Sequence, residues 1–151
     1  MTPESPGRKA LPPLVGTLTH DNLRSALIKD ARAVQLYTVF AQIAEIEGFP
    51  ELARLMREIG EGEALVAAGH LDFLMSAGDP VSDAPLGETR SNIEALLAGL
   101  RPDADEVYPG MAATAHGEGF PDIASWFETL AHARRAQISR LQAGLSGTDR
   151  P

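Results

Sequence analysis

Six side chains in this sequence have the chemistry and the placement to act together: Asp30, Glu63, His70, Asp103, Arg134 and Gln137. Each interrupts a stripe of otherwise apolar residues spaced three or four apart, the spacing of one helix face. On the first stripe Asp30 stands between Leu27 and Val34; on the second Glu63 and His70 flank Val66. On the third Asp103 follows Leu100, and on the fourth Arg134 and Gln137 separate Leu130 from Leu141. Taken singly, any of them could face water from the edge of a wide stripe. Polarity near the middle of four stripes instead points to one layer in a helical core. A charge buried there must pair or bind a metal, because isolated it is too costly. Three carboxylates and an imidazole could ligate a metal. With a guanidinium among them, charge-assisted hydrogen bonds from Arg134 to Asp30, Glu63 or Asp103 become the alternative.

The elements that must position these residues are helices. Gly and Pro cluster in the first sixteen residues, at Gly48–Pro50, across 78–87, at 101–110 and at 117–121, and the segments between are rich in Ala, Leu, Glu and Arg. Aromatic residues are 5% of the chain, so the composition expected of strands is missing. The spacing predicts helices over 19–47, capped by Thr19 and Gly48, over 50–77, over 89–116, with Ser91 and Glu94 as a capping box, and over 121–144. The halves repeat: Glu47-Gly48-Phe49-Pro50 returns as Glu118-Gly119-Phe120-Pro121 and Tyr37 as Tyr108, both 71 residues on. Thr19-His20-Asp21-Asn22-Leu23 matches Thr89-Arg90-Ser91-Asn92-Ile93 only 70 residues on, so one residue is inserted between Ile93 and Tyr108. Such an insertion predicts a π-bulge. Two tandem helical hairpins with a crossover linker form a four-helix bundle over 19–146, between a Pro-rich flexible tail, 1–18, and a disordered end, 147–151. Pro102 should kink the third helix and redirect Asp103. Gly60 and Gly62 permit close packing, Tyr37 and Tyr108 belong to the core, and Trp126 to its boundary.

The segments Tyr37-Thr38-x-Phe40-Ala41, Glu47-Gly48-Phe49, Val107-Tyr108-Pro109 and Glu118-Gly119-Phe120 together resemble the rubrerythrin family of ferritin-like proteins over about residues 16–143. The resemblance implies a ferritin-like bundle, association as a homodimer, and two irons held by five glutamates and two histidines. Carried over by position, the glutamate of the first helix falls on Asp30 and that of the second on Glu63, whose histidine falls on Val66. Those of the third helix fall on Leu100 and Asp103. The glutamate of the fourth falls on Arg134 and its histidine on Gln137. Three carboxylates remain, both histidines are replaced, and an arginine, which is no metal ligand, stands at one position.

The leading reading is therefore a rubrerythrin-like protein without its di-iron centre, with a core Asp/Glu–Arg network and a binding, scaffold or other metal-free role. The alternatives are an oxidoreductase of the peroxidase or ferroxidase type, with iron or manganese at a site rebuilt from Asp30, Glu63, Asp103 and His70, and a metal-independent enzyme using the carboxylate–Arg134 layer around a small-molecule ligand in the bundle core. A net charge of −8 argues against nucleic acid or an anionic membrane as partner. The absence of cysteine excludes a four-cysteine iron site and a thiol nucleophile in this sequence. Residues 1–16 carry four prolines and no apolar core, so no secretory signal is expected, and the expected location is cytoplasmic.

Overall fold

The structure, a computed structural model, describes residues 13–147. Every regular element among them is helical: α1 (Leu18–Ile46), α2 (Pro50–Leu74), α3 (Thr89–Pro102), a π-helical segment (Asp103–Val107), α4 (Tyr108–Gly117) and α5 (Pro121–Gly147). The all-α class expected from composition is found. No described helix is long and apolar enough to cross a membrane. The chain divides between Phe73 and Leu74 into two units, each a helical hairpin. The expected tails lie mostly outside the described residues, at 1–12 and 148–151.

The repeat is realised bond for bond at the two hairpin turns. Gly48 and Gly119 take φ of +86° and +83°, a left-handed conformation that glycine adopts without strain. Phe49 N–H donates to Ala44 and Gly48 N–H to Glu45; Phe120 N–H donates to Ala115 and Gly119 N–H to His116. These are matching Schellman-type closures, which satisfy the last carbonyls of α1 and α4. The buried residues repeat as well: Ala41, Ala44 and Ala53 in the first hairpin return as Ala112, Ala115 and Ala124 in the second. Gly60 is buried and a Cβ there would stand 3.0 Å from Tyr37 Cβ, so α1 and α2 approach closely at that level. Gly62 meets nothing and needs no such explanation.

Several local expectations are corrected. The N-cap of α1 is Thr17, not Thr19: its hydroxyl accepts from His20 N–H at 3.1 Å and donates to Leu14 carbonyl at 2.7 Å. Part of the segment assigned to the tail thus forms the turn that starts the helix. The Ser91–Glu94 box does not form. The chain enters α3 through reciprocal bonds between the Asn92 amide and the Gly87 backbone instead, at 2.8 and 3.1 Å. On α2 the buried or half-buried line is Ala53, Met56, Gly60, Glu63, Ala67 and His70, whereas Leu52, Leu55, Ile59, Val66 and Phe73 are exposed. Within this line Gly60 lets α1 approach closely, and Leu74, at the end of α2, is fully buried. Trp126, expected at the core boundary, is 59% exposed.

Candidate functional site

In the first hairpin α1 carries Asp30, and α2 carries Glu63 and His70. His70 Nε2 lies 2.9 Å from Asp30 Oδ2, with both side chains about one-fifth exposed. The contact is a hydrogen bond when the imidazole is neutral and an ion pair when it is protonated. It joins two helices 40 residues apart in sequence. Glu63 is half-buried and has no hydrogen-bond or ion-pair partner among the described residues. Val66, the position of a family histidine, is 47% exposed.

In the second hairpin the inserted residue is absorbed as expected. Pro102, the last residue of α3, has no N–H, and the five residues after it wind as a π-helix. Tyr108 N–H donates to Asp103 carbonyl, five residues back, rather than to Ala104. Pro109 has no N–H to offer in its place, so the carbonyl of Ala104, a fully buried residue, has no helical donor. Arg135 Nη2 supplies one from α5 at 2.9 Å, and its Nε lies 3.8 Å from Asp105. Nothing in sequence spacing identified Arg135; the signal was Pro109, just past the bulge.

The π-segment points Asp103 toward α5 rather than away. Arg134 Nε lies 3.8 Å from Asp103 Oδ2, an ion pair longer than a hydrogen bond, with the two side chains 28% and 36% exposed. Arg134 Nη1 donates to Gln137 Oε1 at 2.9 Å and Nη2 to Tyr108 Oη at 3.4 Å. The guanidinium carbon stands 5.6 Å above the Tyr108 ring, which stacks on Phe127 at 6.1 Å. Arg134 Nε is buried without a hydrogen-bond acceptor among the described residues. Its pairing with Asp103 is the part of the expected carboxylate–arginine layer that the second hairpin holds by itself.

Three of the four carried-over positions of the second hairpin, Leu100, Arg134 and Gln137, line one groove of about 500 Å³ together with Leu96, Arg140 and Leu141. Among the described residues of either hairpin, no group of three or more His, Cys, Asp or Glu side chains gathers as a metal site requires. The first hairpin thus brings Asp30 and His70 into contact, and the second sets the Arg134–Asp103 ion pair beside leucines.

Residues 21–136 match the family model described as Rubrerythrin. The chain is 28% identical to Rubrerythrin-1 of Clostridium acetobutylicum over 90% of its own length and 74% of that protein. It is 32% identical to Rubrerythrin of Porphyromonas gingivalis over 80% of its length and 64% of that protein. It is 30% identical to Rubrerythrin of Nitratidesulfovibrio vulgaris over 84% of its length and 69% of that protein. The chain therefore spans about two thirds to three quarters of these relatives.

Proposed function

This chain belongs to the rubrerythrin family, and from that premise we propose that it works without a di-iron centre, as a binding or scaffold protein whose former ligand positions form ion pairs. The donor set does not fit two irons. Of five carboxylate positions, one carries Leu100 and one Arg134, and both histidine positions carry other residues, Val66 and Gln137. The observation that supports the reading best is the Arg134 guanidinium beside Asp103. A permanent cation at that distance neutralises the one carboxylate the second hairpin retains and repels a metal ion from it.

Expression with iron or manganese in the medium, followed by elemental analysis of the purified protein, tests this directly. Metal well below one equivalent per chain is expected. Tightly held, near-stoichiometric iron or manganese overturns the reading. It would favour instead a rebuilt site of the peroxidase or ferroxidase type, a reading whose support is the Asp30–His70 contact with Glu63, which has no partner among the described residues, on the same helix as His70. In that event His70→Leu should release the metal.

A further inference from the structure

Next to their turns the two hairpins tie their helices at the same pair of positions with opposite signs. In the first, Glu45 in the last turn of α1 pairs with Arg57 of α2. In the second, 71 residues on, His116 in the last turn of α4 meets Glu128 of α5. Its Nε2 lies 3.1 Å from Glu128 Oε1, with both side chains about half exposed. The inversion extends one turn further: Arg57 is followed four residues on by Glu61, and Glu128 by His132. Anion and cation have exchanged helices, and the cation has become an imidazole. A guanidinium keeps its charge throughout, so the first pair is permanent while Glu45 is ionised. Imidazoles ordinarily change charge between about pH 5 and 8, so the second pair is ionic only on the acid side of that range.

We propose that His116 and Glu128 form a pH-sensitive clasp on the second hairpin. In mild acid it closes as an ion pair and holds the Gly119–Phe120 turn; as the pH rises and the imidazole loses its proton, it slackens, while the first hairpin stays clasped. The clasp acts on the turn directly, because Gly119 N–H donates to the carbonyl of His116 itself and Phe120 N–H to that of Ala115. The carbonyl end of α4 also favours a cation at His116. Around the imidazole, α5 presents Glu128 and, one turn on, His132, and the end of α4 adds Glu118. The acids of the π-segment, Asp103, Asp105 and Glu106, stand ten or more residues back, about 15 Å or more along the helix axis. The clasp is independent of the metal content of the chain and goes beyond the binding or scaffold role.

The repeat supplies an internal control for the test. Amide exchange of the full chain, followed by NMR and corrected for the intrinsic rate at each pH, gives the protection of Gly119 and Phe120 relative to Gly48 and Phe49. Between about pH 8 and about pH 5.5 this ratio should rise about two- to threefold, the size expected of an exposed ion pair. His116→Arg should fix the ratio at its acid value at both ends of the range, as Arg57 does for the first hairpin. His116→Gln and Glu128→Gln should each fix it at its alkaline value. His132→Gln should leave the response intact. A ratio that does not move with pH overturns the proposal, as does a response that survives His116→Gln or disappears with His132→Gln.

Discussion

The two hairpins share a turn, a buried alanine set and a tyrosine at matching positions, yet they differ at almost every residue that could do chemistry. The first is α-helical throughout α1 and joins its helices through Asp30 and His70 and, near the turn, through Glu45 and Arg57. The second interrupts its first helix with a π-segment and joins its helices through two consecutive arginines, Arg134 to Asp103 and Arg135 to the Ala104 carbonyl. At the level of the tyrosine the packing differs too. Gly60 lets α2 close on Tyr37, while its counterpart, Ala131, carries a methyl group in the same buried position. The frame that closes a hairpin and the polar groups mounted on it have therefore diverged separately, and each can be perturbed without the other.

The largest effect should come from the frame. Gly60→Val places a branched side chain where even a Cβ meets Tyr37 Cβ at 3.0 Å, an atom too near the α1 backbone to move aside. A loss of about 2–3 kcal/mol is expected from overpacking, read as a lowered urea midpoint with unchanged slope. Ala131→Val at the matching site of the second hairpin should cost clearly less, since a Cβ is already accommodated there. Equal losses at the two sites would mean that the hairpins are packed alike and that the contact at Gly60 is not specific to the first.

The next effect separates the hairpins by their backbone. Arg135→Ala leaves the Ala104 carbonyl buried without a donor, which costs about 2 kcal/mol. Hydrogen exchange at the Tyr108 amide, the donor that closes the π-turn, should quicken with it. The counterpart of Arg135 in the first hairpin is Ala64. Ala64→Arg should gain nothing, because a continuous α-helix opposite it has no freed carbonyl to offer. A stabilisation by Ala64→Arg would show that the arginine acts through surface charge and not through the bulge.

Much of this was readable before any coordinate. The shift from a 71-residue to a 70-residue offset located the π-segment, and the repeated Glu-Gly-Phe-Pro located both turns. Gly60 stood out as a glycine inside a helix, where it is tolerated only for a packing reason. What escaped was whatever depends on rotation about a helix axis. The bulky residues of α2 marked the more hydrophobic face, but the hairpin closes on the smaller one, through Ala53 and Gly60, because interaxial distance and not hydrophobicity decides that contact. The Thr17 cap was missed because Thr19 also reads as a cap two residues on. The Asp30–His70 pair joins positions whose separation of 40 residues has no periodic signature, and the Arg135 contact runs to a backbone atom, which no side-chain pattern records.

The smallest effect gives the finest test, since it asks whether the polar pair of the first hairpin contributes to its folding at all. Asp30 and His70 correspond to Leu100 and Leu141 in the second hairpin, where two leucines occupy the same positions on the helices. Asp30→Leu leaves His70 without its partner, and His70→Leu leaves Asp30 so; each should cost about 1 kcal/mol, the net worth of one partly exposed polar contact. The double substitution removes both polar groups together and should return to within about 0.5 kcal/mol of the parent, because an apolar pair of that size replaces the contact instead of breaking it. A positive coupling of that kind, measured as the failure of the two single losses to add, would show that the second hairpin's leucines are an equivalent solution to closing the same two helices. Additive losses would show that Asp30 and His70 act separately, and then the polar character of the first hairpin would have to be retained for something other than holding α1 to α2.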